Sequence, residues 1–252
     1  MLAGLLVAIL MFFSGNETVM LNPEMGKSIK KTVQDKERKQ QIDQVLKEIK
    51  QDQKLFIKET QKPSLKELEN LNLDYNSSRE SFESLLNTYY TELEELQNKY
   101  LDNELKIRSL TKEDEWTRIM DLAVQKPDKE KDMNEIRKQA DHMHANLQKA
   151  VESNITDTAS LDKARLLLDE YESRSVKIAE QLLHTTYNQH EAIRSYDASR
   201  SGFESLRSEI LATRKEYMSF VVDMRFQLKD LTPEANWKNV ARAINKNLEK
   251  AG

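Results

Sequence analysis

From Leu161 to Leu231 the apolar positions recur in steps of three and four without a slip. One set runs Leu161, Leu168, Ser175, Leu182, Gln189, Tyr196, Phe203, Ile210, Tyr217, Met224 and Leu231. The interleaved set runs Ala164, Tyr171, Ile178, Thr185, Ala192, Ser199, Leu206, Thr213, Phe220 and Gln227. A seven-residue repeat held for roughly ten heptads predicts one very long helix that needs a partner along a narrow stripe. The stretch contains no proline and a single glycine, Gly202. The polar members of the stripe weaken a clean two-stranded zipper, and its tyrosines call for a wide or partly wet seam with hydroxyl partners.

The rest of the chain follows the same period. Asn22-Pro23-Glu24 is a strong helix start, with Asn as N-cap and Pro in the first turn. Met25, Ile29, Val33, Ile42, Val45, Leu46, Ile49 and Phe56 follow, with a polar gap between Val33 and Ile42, so 22–63 reads as a largely solvated neck or stalk. Lys62-Pro63 predicts its end. Ser64 and Glu67 then form a capping box. Leu68, Tyr75, Phe82, Leu86, Tyr89, Leu93, Leu96, Tyr100, Ile107 and Leu110 make a second long stripe. Thr111 and Asp114 restart the helix, and Lys126-Pro127-Asp128 breaks it. Met133, Ile136, Ala140, Met143, Leu147 and Ala150 continue to a turn at Asn154, Thr156 and Thr158. Thr232-Pro233-Glu234 opens a closing helix with Trp237, Val240, Ala241, Ile244 and Leu248 on one side.

The expected fold is therefore all-α: an elongated antiparallel coiled-coil hairpin or slender helical bundle. The segment 64–231 folds back in the region 126–158, so that 64–151 runs beside 161–231. Its seam is Leu161, Leu168, Tyr171, Ile178, Leu182, Tyr196, Phe203, Leu206, Ile210, Tyr217, Phe220 and Met224. The 232–252 helix caps the bundle or docks a partner through Trp237, Val240, Ile244 and Leu248. No convincing internal repeat is visible.

Composition sharpens this picture. Five Gly and four Pro leave little material for turns, and 33% charged residues suit long solvated helices. The 39 basic and 43 acidic residues are finely mixed, so no basic face points to nucleic acid. Zero Cys excludes disulfides, thiolate metal sites and thiol nucleophiles.

Met1 to Phe13 is uniformly apolar, with Leu2, Leu5, Leu6, Val7, Ile9, Leu10, Phe12 and Phe13 as its large members. About 13 residues rise only roughly 20 Å, so a span needs extension to Leu21, past Asn16 and Glu17. Residues 1–21 read as a single-pass membrane anchor helix, or signal-anchor. A cleaved signal peptide and a soluble core helix are the alternatives. Lys27, Lys30, Lys31, Lys36, Arg38 and Lys39 follow the segment, which puts the body in the cytoplasm by the positive-inside rule. An upstream start would reverse this and make the body periplasmic or extracytoplasmic.

Chemistry has no comparable signal. His142 and His144, and His184 and His190, are not spaced to share a helix face. The nearest acid–His pairs are Asp141 with His144 and Glu180 with His184, commonplace on a charged helix. No phosphate loop and no Gly-x-Ser-x-Gly elbow occurs. Asn16, Asn76 and Asn154 begin glycosylation sequons, a short pattern frequent by chance. No catalytic residue, cofactor, metal or small-molecule substrate is expected.

The layout of short anchor plus long helical body is similar to bacterial division and envelope scaffolds of the spectrin-like type. This is a likeness of architecture, with no residue motif behind it. The expected function is a non-enzymatic membrane-anchored coiled-coil scaffold acting by spacing, self-association and partner docking. Its partners would be lipid through residues 1–21, other proteins, and further copies of itself in an oligomer. The alternatives are a stalk or tail subunit of a larger membrane complex (a secretion, motor or defence machine) and a helical envelope chaperone or adaptor.

Overall fold

The computed structural model describes residues 20, 22–124 and 128–249, with side-chain environments through residue 246. Every regular element among them is helical. In order they are α1 (Pro23–Thr32), α2 (Lys36–Phe56), a π turn (Ile57–Gln61), α3 (Lys62–Leu73), α4 (Arg79–Ser109) and α5 (Glu113–Ala123). Then come α6 (Lys129–Asn154), α7 (Thr158–Arg194), α8 (Arg200–Leu231) and α9 (Glu234–Glu249). The anchor residues Leu2 to Phe13 lie outside the described residues. Among those described, no helix is long and apolar enough to cross a membrane.

The predicted long helix is two helices. It breaks at Ser195–Ser199, where Ser199 becomes the N-cap of α8 and accepts a hydrogen bond from Gly202 N. The second long stripe breaks in the same way at Asp74–Ser78, and Ser78 caps α4 by accepting from Ser81 N. Both breaks were concealed because each five-residue turn keeps the apolar phase. Tyr196 stays partly buried at its predicted seam position. Asp, Asn and Ser are the residues that form such turns, since their side chains bond to nearby backbone.

The expected hairpin of 64–151 against 161–231 does not form. Instead α4 packs antiparallel on α2 and α3, and α8 packs antiparallel on α7. Tyr171 Oη lies 3.0 Å from Tyr217 Oη, and Thr185 Oγ1 donates to Glu209 at 2.9 Å across the α7–α8 seam. The 22–63 segment is not a solvated neck. Met25, Ile29, Val33, Ile42, Val45 and Ile49 are all 0% exposed and belong to the common core. The polar gap after Val33 is only the α1–α2 turn, closed by Asp35 as N-cap accepting from Arg38 N.

Lys62-Pro63 does not end a helix either. The chain runs helically from Lys36 to Leu73 through the π turn. A proline inside an α-helix loses a hydrogen bond and clashes with the carbonyl four residues back. The wider π turn immediately upstream relieves that conflict and inserts one extra residue.

These elements reveal an internal duplication. Tyr75, Ser78, Arg79, Phe82, Glu83, Ser84 and Leu85 recur, 121 positions on, as Tyr196, Ser199, Arg200, Phe203, Glu204, Ser205 and Leu206. Thr111, Glu113 and Trp116 recur as Thr232, Glu234 and Trp237 at the same separation. The first repeat is α1 to α5. The second is the end of α6, then α7, α8 and α9, with α2 to α3 matching α7 apart from the π-turn residue. The contacts correspond as well: α1 on α5 matches α6 on α9, and α9 on α3 matches α5 on α7. Helices α4 and α8 cross on the pseudo-dyad. Arg79 pairs with Asp223 at 2.5 Å, and the equivalent Arg200 pairs with Asp102 at 2.6 Å.

Two predictions follow from caps and phenols. Ser78→Ala and Ser199→Ala should each cost about 1 kcal/mol, lowering Tm by roughly 2–4 °C. No change in the melting curve of either would mean the turn is held without its cap. Burial raises the phenol pKa of Tyr89, Tyr90, Tyr100, Tyr171 and Tyr217 above the ordinary value of 10.0. Above about pH 10 the unfolded chain gives up protons that the folded protein retains. Stability then falls with pH, by roughly 1.4 kcal/mol per unit per phenol. Arg214 and Arg225, lowered by burial to about 9 and about 10, act with the opposite sign, but the phenols outnumber them. Tyr100 Oη is buried without a hydrogen-bond partner among the described residues. Tyr100→Phe should therefore leave stability at pH 7 unchanged or higher, and should flatten the alkaline limb of a pH titration of Tm.

Candidate functional site

Two clusters of buried polar groups are related by the pseudo-dyad. At the first, Arg225 of α8 reaches the end of α3. Its Nη2 donates to Asp74 O at 2.6 Å and to Leu71 O at 3.2 Å. Its guanidinium lies 5.0 Å from the Trp237 ring centroid, 5.1 Å from Phe82 and 4.5 Å from Phe226. Trp237 Nε1 donates to Asn72 O at 2.9 Å.

At the second, Arg108 of α4 reaches the end of α7. Its Nη1 donates to Ser195 O at 2.8 Å, and its Nη2 donates to Ile193 O at 3.4 Å. Its guanidinium lies 4.8 Å from Trp116 and 5.1 Å from Phe203. Trp116 Nε1 donates to Ile193 O at 3.1 Å. Asn72 and Ile193, Asp74 and Ser195, Phe82 and Phe203, Trp116 and Trp237 are all equivalent pairs. The arginines are not. Arg225 stands where the first repeat has Glu104, and Arg108 where the second has Lys229, one helical turn further along the same face.

Each arginine performs a defined task. The last carbonyls of a helix have no intrahelical donor and carry the negative end of its dipole. The guanidinium and the indole N–H of the other repeat satisfy them, and the aromatic faces offset part of the cation's desolvation. Burial lowers the Arg225 pKa to about 10, which leaves it charged at neutral pH.

Side contacts reinforce both clamps. Asn72 Nδ2 donates to Asn245 Oδ1 at 2.9 Å, and Asn245 Nδ2 donates to Glu69 O at 3.0 Å. Tyr196 Oη donates to Thr111 O at 2.9 Å. Arg38 binds Glu115 through two contacts of 2.6 and 3.0 Å, tying α2 to α5. The hydrogen bond from Arg38 holds the Glu115 carboxyl below its usual range. Glu104 is 2% exposed, and its Oε1 accepts from Arg108 Nη2 at 3.3 Å. Burial pushes its carboxyl up, against the pull of Arg108 and Arg207.

A cleft of about 900 Å³ opens beside the first clamp, bounded by Asn70, Asp74 and Tyr75 on one side and Glu234, Trp237 and Lys238 on the other. At the equivalent place in the second repeat, Arg194 stands where the first has Leu73. It bridges to the Asp121 carboxylate and donates to Val124 O at 3.2 Å.

The sequence-derived sites fall as follows. Leu168, Tyr171, Ile178, Leu182, Phe203, Ile210, Tyr217, Phe220 and Met224 are buried, and Leu161, Leu206 and Tyr196 partly so. They are core, but they serve two helices rather than one. Trp237, Val240 and Ile244 are 0%, 0% and 3% exposed, so α9 packs inward on α6 and α3 and does not present them for docking. Leu248 lies beyond the described side chains. Among the described residues, no three His, Asp or Glu side chains converge as a metal site would require. His144 lies 3.1 Å from Asp169 and 3.4 Å from Glu172, an ordinary interhelical polar contact. Sequence reasoning missed the clamp arginines, though the repeated Trp with a repeated Tyr-x-x-Ser-Arg was available as a signal.

No protein-family model, curated protein or solved structure matches the chain.

The two clamps predict a specific mutational pattern. Arg225→Ala leaves helix-end carbonyls buried without a donor and should cost about 2–4 kcal/mol. Trp237→Phe keeps the ring packing but orphans Asn72 O, and should cost about 1–3 kcal/mol. Chemical denaturation measures both. A loss no larger than that of an exposed control such as Leu166→Ala would rule out the clamp as a stabilising element.

Proposed function

We propose that the chain is a non-enzymatic scaffold, held at a membrane by residues 1–21, whose cytoplasmic helical body spaces and docks other proteins. The observation that carries this reading is the use made of the buried polar groups. Arg108, Arg225, Trp116 and Trp237 join one repeat to the other and so make a stiff two-repeat body. The basic residues Lys27, Lys30 and Lys31 of α1 are exposed and stand immediately after the proposed anchor. Cations so placed face anionic headgroups, at about 1 kcal/mol each. At about 1.5 Å per residue, α7 with its 37 residues reaches about 55 Å, which sets the spacing such a body provides.

The test is fractionation of the full chain beside a version lacking residues 1–19, which keeps the buried Met20 of the core. The full chain should sediment with membranes and leave them only in detergent. The shortened chain should be soluble with an unchanged Tm. A carboxyl-terminal reporter should be active only on the cytoplasmic side. Recovery of the full chain in the soluble fraction would defeat the membrane part of the proposal. Turnover of any substrate abolished by a single side-chain change would defeat the non-enzymatic part.

A further inference from the structure

The crossing of α4 and α8 has a property that two unrelated helices would lack. Arg79 and Asp102 both belong to the first repeat, and Arg200 and Asp223 to the second. The pairs formed are Arg79–Asp223 at 2.5 Å and Arg200–Asp102 at 2.6 Å. Each repeat therefore supplies one cation and one anion, as each protomer does in an isologous dimer. The clamps follow the same rule. Each repeat gives an arginine and a tryptophan, and receives the other's at the end of its α3 or α7. The whole set of cross-repeat contacts depends on one repeat meeting the other, not on which chain supplies it.

We propose that a second copy of this chain can take the place of the chain's own other repeat, giving a reciprocally exchanged dimer closed by the same α4–α8 surface and clamps. The buried charges select the exchanged form over like-with-like pairing. Glu104 is paired with Arg108 of its own helix at 3.3 Å and faces Arg207 of the other repeat across the junction. Two second repeats would set Arg207 against Arg225, which stands at the place of Glu104, and two first repeats would set Glu104 against Leu86, which stands at the place of Arg207. Only first-with-second pairing keeps the balance, and it does so equally within one chain or between two. A short connection holds the chain's own repeats at an effective concentration in the millimolar range. Exchange is therefore favoured where chains are crowded to that level. The inference stands on the repeat geometry and does not depend on membrane attachment.

The test uses two full-length variants with opposite charge patterns. In Asp102→Arg/Asp223→Arg both crossing pairs become cation with cation, and in Arg79→Asp/Arg200→Asp both become anion with anion. Exchange between one of each restores four opposite-charge pairs. Co-expressed with different tags, the two variants should be recovered through sequential tag purification as a 1:1 complex of twice the monomer mass. Each variant expressed alone with two tags should give no such complex. Persistence of two separate monomers on co-expression would overturn the proposal. Wild-type chains with the two tags provide a second measurement, refolded together at about 1 mM in detergent. A doubly tagged dimer that reverts to monomer on dilution supports exchange, and its absence counts against it.

Discussion

A guanidinium removed from water needs acceptors to offset its desolvation, and this requirement governs how the two repeats meet. Arg225 is 1% exposed and Arg108 5% exposed. Neither has a carboxylate as its main acceptor. Each is seated on the last carbonyls of a helix and of the turn that follows it. A helix end buried without donors is itself unfavourable, because its final carbonyls have no intrahelical partner. The cation and the helix end each offset part of the other's deficit; in the first clamp the indole takes the carbonyl the arginine leaves, and in the second both donate to Ile193 O. Since the arginine always comes from the other repeat, neither repeat closes its own helix end. Stability of the parts and their mutual arrangement are thus the same constraint.

This explains why much of the fold was legible in the sequence and why its topology was not. Helical period, the start at Asn22-Pro23 and the Asp157 cap after the turn at Asn154 rest on local rules, and the structure follows them, while the Lys126-Pro127 break lies outside the described residues. The breaks at 74–78 and 195–199 were hidden by the seam itself. Tyr75 and Tyr196 fall on apolar positions inside the turns, so the stripe continues while the backbone reverses. Pro63 misled in the opposite sense, because a π turn lets a helix pass a proline that the local rule would make a terminus. The duplication was hidden by two displacements. The π-turn residue changes the offset between the halves, and the clamp arginines sit one helical turn apart in the two copies. A helix presents both positions on one face, so the same contact is made from different places in the sequence.

The revised topology also changes what the molecule can offer a partner. A single helix over 161–231 would have spanned about 105 Å, and the two-helix arrangement roughly halves that. The stripe that would have been offered to another chain is already covered within this one. Trp237, Val240 and Ile244 are likewise spent on the internal contact with α3 and α6. Surface remaining for partners is largely charged, with isolated apolar residues such as Leu55 and Leu166 at 57% and 70% exposure.

The departures from exact symmetry are as informative as the symmetry. Leu73 in one repeat faces an open cleft, while its counterpart Arg194 is tied to Asp121 and Val124. Glu104 neutralises a junction that in the second repeat carries Arg225 and Lys229. These differences leave the shared contacts intact, and each makes the two halves better complements of each other than of themselves. A strictly symmetric pair would have no means of favouring first-with-second over like-with-like association. The asymmetric buried charges supply that preference, because an unpaired buried charge is disfavoured by several kcal/mol while an exposed pair such as Arg79–Asp223 contributes about 1 kcal/mol or less. Specificity therefore resides in the buried groups of the junction, and the exposed ion pairs beside them align an association that the buried groups have already selected.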